Sequence, residues 1–192
     1  VSWAGRLGAD PFGDMVVSQL RGEGVHVDTV VRDAARPTGL MFVERRTADL
    51  ARVEYRRAGS AGSVLTTDDV DAALSVSSRL VHLTGITPAL SATARESVVH
   101  AARAARAAGA LVSLDVNHRS RLWSRDDARN ALRVLVGVVD LVIASDDEID
   151  LVADGSEEQA ARQLLDGGAR HVAVKRGADG ASLFSGVDRY DI

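Results

Sequence analysis

From Leu111 to Trp123 the sequence reads LVSLDVNHRSRLW. An apolar run ends here in an acid, an amide and an arginine at alternate positions. Asp115, Asn117 and Arg119 are costly to desolvate, so a strand that carries them to its end needs partners or a ligand waiting there. The chemistry open to such a set is binding through charge-assisted hydrogen bonds. Three further segments place polar or glycine-rich residues directly after an apolar run: Thr84-Gly85-Ile86-Thr87, Ser145-Asp146-Asp147-Glu148, and Lys175-Arg176-Gly177-Ala178-Asp179-Gly180. Each also has a plainer reading. Thr84-Gly85 suits a tight strand-to-helix turn, the carboxylates after Ala144 suit a helix cap, and the turn after Lys175 suits a hairpin with Ala181 to Ser185. All four fall at the same end of successive strands, and that coincidence favours a ligand-binding rim.

The elements behind these ends alternate. Arg79 to Leu83 reads as a strand, and the segment that follows, with Val98, Ala101, Ala102, Ala105 and Ala108 at helical spacing and Gly109 as its stop, reads as a helix. Leu111 to Val116 and Val139 to Ala144 are strands on either side of a helix opened by Ser124. A Ser156-capped helix leads through Gly167-Gly168 to the strand HVAVK. Near-continuous apolar strands alternating with helices predict an α/β fold, a doubly wound, mostly parallel sheet with helices on both faces. In such sheets ligands bind beyond the carboxyl ends of the strands. Toward the N-terminus, VSWAG and VDTVV read as strands around a helix over Asp14 to Gln19. Thr38 to Arg57 differs, because GLMFVERR and ARVEYRR flank TADL with no helix between them, which predicts a hairpin flap. The expected organisation is an α/β core from 1–37 and 64–192, with a β lid at 38–63.

Composition excludes several classes. A net charge of -4 argues against a dedicated binder of nucleic acid or of an anionic membrane. With no cysteine there is no disulfide framework or thiol nucleophile, which suits a cytoplasmic protein. No apolar run is long enough to span a bilayer. The histidines are dispersed and none has trustworthy metal-ligand spacing; His82 reads as a core residue, and Trp3 and Trp123 as packing residues. No Gly-x-Ser-x-Gly elbow or Walker loop is present. Of the 23 basic residues, Lys175 is the only lysine.

Taken with GRLGADPFGD (Gly5 to Asp14), RPTGL (Arg36 to Leu40) and VKRGADGA (Val174 to Ala181), these segments make the sequence resemble the ribokinase-like (PfkB) carbohydrate kinases over nearly its whole length. The block SDDE stands where that family has Asn-x-x-Glu. Within the family, YRRAGSAGS, HLTGITPALS and DVNHRSRLWS are similar to the 2-keto-3-deoxygluconate kinases. The resemblance implies phosphoryl transfer from ATP, with Mg2+, to a hydroxyl of a sugar acid. It implies that Tyr55 and Arg57 on the flap, Ile86 and Arg119 contact the substrate, two arginines suiting its carboxylate. Ser145, Lys175, Gly177 and Gly180 fall on the nucleotide side, and Glu148 on an indirect link to magnesium. Asp115 and Asn117 then read as supports that orient Arg119.

Two departures from the family pattern matter. Met41 stands where several relatives have a substrate-facing tyrosine, which opens the choice of sugar. The Gly-Ala-Gly-Asp motif with the family's general-base aspartate is not found between Val1 and Ile192, so no catalytic residue is assigned in this chain, and that aspartate is expected beyond Ile192. Both ends therefore read as truncated, and the flap as a contact between subunits of a homo-oligomer. The competing readings are a neutral-sugar kinase of the fructose or ribose type and a non-catalytic sugar-binding protein.

Overall fold

The computed structural model describes residues 1–45 and 51–192. They form two compact units, Val1–Ser75 and Val76–Ile192.

In the first unit, β1 (Arg6–Gly8) runs parallel to β2 (Val31–Asp33), and α1 (Pro11–Gly22) connects them. Helix α1 starts where it does because Asp10 caps it, accepting from the Gly13 N–H at 2.8 Å, and because Pro11 occupies the first turn. The same carboxylate accepts from the Thr38 N–H and the Thr38 hydroxyl, both at 2.7 Å, and so ties the segment leading into the next strand to the end of β1. These donors, the Thr38 N–H first and the Gly13 N–H next, hold the Asp10 carboxyl below its usual value. A carboxylate lowered in this way contributes stability above its unfolded pKa, and the contribution is lost as pH falls through the folded pKa. Asp10→Asn is therefore expected to flatten the acid limb of a stability profile below about pH 4, read by circular dichroism in denaturant.

Strand β3 (Leu40–Arg45) pairs antiparallel with β4 (Ala51–Arg56), in the register Met41 opposite Tyr55 and Val43 opposite Val53. This is the hairpin expected from the sequence; its TADL segment lies outside the described residues. Helix α2 (Thr67–Leu74) opens on a capping box between Thr66 and Asp69. Asp69 is buried and receives Arg6 at 3.0 Å, and Arg6 also reaches Asp33.

Three sequence readings change here. VSWAG is not a strand: only Ser2 bridges to His26, and the ladder begins at Arg6. Likewise the strand placed at VDTVV lies later, at Val31–Asp33, because Asp28 and Thr29 turn the chain and the first ladder partner on β1 is met at Val31. Sequence reasoning passed over α2, whose short apolar stripe is carried by few residues.

The second unit is built on a six-stranded mixed sheet in the order β10-β9-β8-β7-β6-β5. Strands β5 (Leu80–Thr84), β6 (Leu111–Asp115), β7 (Leu141–Ser145) and β8 (His171–Lys175) are parallel. β9 (Ala181–Ser185) and β10 (Asp188–Asp191) return antiparallel, so the hairpin reading after Lys175 is the one realised. Three helices, α3 (Ala92–Ala107), α4 (Arg125–Val136) and α5 (Glu157–Asp166), make the crossovers, each opened by a serine cap at Ser91, Ser124 or Ser156. Val112, Leu114, Val142, Val172 and Val174 of the sheet and Leu132, Leu135 and Leu164 of the helices are fully buried. From β5 to β8 the strand order advances without reversal.

His82 differs from expectation. It lies on β5, at the margin of this sheet, is exposed, and meets Ser113 Oγ through Nδ1 at 2.8 Å. An apolar neighbourhood in sequence does not bury a residue on an edge strand.

Outside α4, Arg125, Arg129 and Arg133 recur every fourth residue and so share one face. Arg125 and Arg129 reach Asp150, Arg129 at 3.2 Å, and Arg133 reaches Asp154 at 2.7 Å. The Arg133 hydrogen bond holds the Asp154 carboxyl below its usual value. This ladder fastens α4 to the 3-10 turn Ile149–Leu151 that follows β7.

Candidate functional site

The parallel strands of the second unit end at Thr84, Asp115, Ser145 and Lys175, neighbours across the sheet. The loops leaving them are held close by backbone hydrogen bonds. Gly85 N–H donates to the Asp115 carbonyl at 2.8 Å, Val116 N–H to Ile143 at 2.8 Å, and Asp146 N–H to Lys175 at 3.1 Å. Gly85 is required by contact: a Cβ there would stand 2.0 Å from the Val116 carbonyl oxygen. Gly85→Ala is expected to cost about 1–3 kcal/mol by overpacking, seen as a lower denaturant midpoint with an unchanged m-value.

Asn117 has φ of 42°, the left-handed region that asparagine tolerates better than most residues. Its amide nitrogen donates to Thr84 Oγ1 at 3.3 Å. Glu148 is buried, and its carboxylate spans two loops: Oε1 accepts the His118 N–H at 2.6 Å and Oε2 the Ser145 N–H at 3.2 Å. The ends of β6 and β7 are thus fixed to one another by one side chain. Ser145 Oγ lies 2.5 Å from Asp147 Oδ1.

The arrangement around Arg119 departs from the sequence reading. Asp115 and Asn117 were expected to orient Arg119, yet Asp115 pairs with Lys175 and Asn117 with Thr84. Arg119 is exposed and donates to the neighbouring His118 carbonyl at 3.0 Å. The physical reason is that strand alternation stops: Asp115 closes the ladder, whereas Arg119 lies beyond the left-handed residue at 117, where the chain has already left the strand direction. Asp115 instead supports Lys175, whose Nζ lies 3.0 and 3.3 Å from its two oxygens. Strand β7 runs between the two residues, so the pair spans its end. Only one sequence signal could have singled out this pair, the isolation of Lys175 among arginines.

Gly177 opens the 3-10 turn Gly177–Asp179 with φ of 58°. Gly180, at φ 88°, allows the Ile192 carbonyl to approach within 1.9 Å of where a Cβ would be. Ile86 follows the Thr84 turn, its N–H 3.4 Å from Thr84 Oγ1. Trp123 is buried, as a packing residue should be, with the Arg95 guanidinium over its ring at 5.8 Å.

In the first unit, the Arg57 guanidinium stacks 4.2 Å from the Tyr55 ring centroid. Tyr55 is 38% exposed and Met41, opposite it, 57%. Residues paired across an antiparallel ladder point to one face, so Met41, Val43, Val53 and Tyr55 share one side of the hairpin.

Among the described residues no group of three or more His, Asp or Glu side chains is disposed to hold a metal ion. Both oxygens of Glu148 serve backbone N–H groups. No helix among the described residues is long and apolar enough to cross a membrane.

The sequence model of the pfkB family carbohydrate kinases matches residues 1–192. A 2-dehydro-3-deoxygluconokinase of Thermoproteus tenax is 38% identical over 186 residues, covering 93% of this chain and 55% of that protein. Another, of Bacillus subtilis, is 33% identical over 191 residues, covering 97% and 59%. Fructokinase-2 of Zea mays is 30% identical over 187 residues, covering 96% and 56%. Among solved structures, a PfkB protein from Polaromonas sp. JS666 aligns at TM-score 0.88 and 36% identity, over 100% of this chain and 66% of that one. A putative ribokinase II from E. coli, in complex with ATP and Mg2+, aligns at TM-score 0.89 and 25% identity, over 100% and 61%. The chain spans somewhat more than half the length of these curated relatives. With the family model matching from Val1 to Ile192 and the α/β unit aligning as it does, the chain belongs to the pfkB family of carbohydrate kinases.

Proposed function

We propose that the full-length protein transfers the γ-phosphate of ATP to a hydroxyl of a sugar acid, 2-keto-3-deoxygluconate (2-dehydro-3-deoxygluconate). The observation that carries this reading is the rim at the carboxyl ends of β5 to β8, where Ser145 and Lys175 offer hydrogen-bond donors on adjacent strand ends and Arg119 offers one from the loop that follows β6. Phosphoryl transfer depends mostly on positioning and on stabilising charge, and a rim of donors on rigid strands suits that work.

In this reading Ser145, Lys175, Gly177 and Gly180 serve the nucleotide, whose phosphates meet the lysine ammonium and the backbone N–H groups of the glycine turn. Ile86 and Arg119 serve the sugar acid, Arg119 by charge-assisted hydrogen bonds to its carboxylate. Tyr55 and Arg57 act on the substrate from the lid, 38–63. The core, 1–37 and 64–192, takes the doubly wound arrangement. Mg2+, when bound, neutralises polyphosphate charge; Glu148 serves it indirectly by fixing the loops at His118 and Ser145. No residue between Val1 and Ile192 is assigned as general base. The protein acts in the cytoplasm, and the exposed apolar side of the hairpin, with Met41 and Val43, supports homo-oligomer formation through the lid.

A coupled ATP-dependent assay of the full-length protein with 2-keto-3-deoxygluconate, fructose and ribose tests the proposal. Preference for the sugar acid is expected. Preference for a neutral sugar would favour the fructose or ribose type, a reading that Met41 in place of a tyrosine keeps open. Sugar binding without transfer to any of the three would favour the non-catalytic alternative.

A further inference from the structure

Lys175 is the only lysine among 23 basic residues. Arginine supplies the other ion pairs named above: Arg6 with Asp33 and Asp69, and Arg125, Arg129 and Arg133 with Asp150 and Asp154. The two side chains differ in what they can do. Arginine's planar fork suits a pair that keeps one geometry, whereas a lysine ammonium is a point charge on a flexible stem that can change partners with little loss of geometry. The single lysine stands on the rim, and its partner there is an acid on another strand.

Asp115 and Lys175 terminate β6 and β8, with β7 between them. To reach both Asp115 oxygens, at 3.0 and 3.3 Å, the lysine side chain must cross the end of β7, from its own register position opposite Ser145 toward that of Asp115, opposite Ile143. The pair is accessible, the lysine side chain 45% and the aspartate 22% exposed. An ion pair in that setting is weak and exchangeable, because solvent competes for both charges.

We infer that Asp115 is a counter-ion latch. It holds the Lys175 ammonium across the end of β7 while no polyphosphate is bound and yields it to the phosphate oxygens when one arrives. No bond is made or broken; one ion pair replaces another. The latch withholds part of the affinity that Lys175 would otherwise give to polyphosphate, and it keeps the ammonium from wandering into solvent between turnovers. Asp115 is thus a positioning residue acting through Lys175. The inference rests on the assignment of Lys175 to the nucleotide side made above.

A double-mutant cycle on the full-length protein tests it, with inorganic tripolyphosphate and then ATP as probes in isothermal titration. Asp115→Asn is expected to tighten tripolyphosphate binding about two- to fivefold, the range that a half-exposed ion pair can withhold. The gain should vanish in the Lys175→Met background, where there is no ammonium to release. A matched loss of charge at the exposed Asp146, Asp146→Asn, should give a smaller change of similar size in both backgrounds. Lys175 itself offers a second readout. Reductive methylation with 13C-formaldehyde labels its amine, and the signal, identified by its absence in Lys175→Met, should shift on adding tripolyphosphate to the wild type. In Asp115→Asn it should already be displaced before any is added.

Weaker binding by Asp115→Asn, or an equal gain in both backgrounds, would overturn the latch. If the wild type and Lys175→Met bind both probes equally, the nucleotide assignment of Lys175 fails instead, and the latch fails with it. Circular dichroism of each variant establishes folding before titration, and Asp115→Glu, which keeps the charge, should return affinity toward the wild-type value.

Discussion

Replacing Arg119 by alanine in the full-length protein is expected to raise KM for the sugar acid about ten- to a hundredfold while leaving KM for ATP within about twofold. The magnitude follows from the worth of a hydrogen bond to a charged group, roughly 1.5–3 kcal/mol, with each 1.4 kcal/mol a factor of ten. The selectivity follows from position. Arg119 is exposed and its hydrogen bond among the described residues is a local one, to the His118 carbonyl, so its loss should not disturb the buried framework. Arg119→Lys should fall between, since it keeps the charge and loses the fork. Steady-state kinetics with each substrate varied in turn give the result. Equal losses for both substrates would move Arg119 off the sugar-acid side.

Glu148→Ala is expected to be the most damaging single change on the rim. Its carboxylate is buried, and the His118 and Ser145 N–H groups both depend on it. Truncation leaves two donors without an acceptor in a site that the alanine cannot fill, at a cost on the order of 3 kcal/mol. The ends of β6 and β7 would also lose their common support, so nucleotide affinity should fall with stability. Glu148→Gln retains one acceptor oxygen and should lose less of each. Urea denaturation together with ATP titration checks both. A variant that keeps full stability and loses only its magnesium dependence would point to direct metal contact instead.

Much of this arrangement was readable beforehand. Val112, Leu114, Val142 and Val172 lie in runs that are apolar on both faces, and the serines at 91, 124 and 156 mark helix starts, so the α/β unit follows from period and caps. The four strand ends were legible for the same reason: polar residues after such runs have nowhere to go but the rim. Partner choice was not. That Asp115 reaches Lys175, sixty residues away, rather than Arg119 depends on which strand lies where and on a single left-handed residue at 117, neither of which is local information. Boundaries at the N-terminus failed similarly. VDTVV has the composition of a strand, but pairing is fixed by where β1 presents its edge. Glu148 was noticed as an acid of a family motif; its two backbone hydrogen bonds could be seen only once the loops after β6 and β7 met.

The arginine ladder on α4 bears on how such stability measurements should be read. Arg125, Arg129 and Arg133 grip Asp150 and Asp154 at the surface, and the turn they grip follows directly on Glu148. Surface ion pairs are dulled by electrolyte, whereas the apolar core is not. Guanidinium chloride is itself a salt and will disarm the ladder at concentrations too low to unfold the sheet; urea will not. The two denaturants should therefore rank variants near Glu148 differently, and the gap between them, closing when sodium chloride is added to the urea series, would measure how much of the rim's rigidity is supplied from outside by charge.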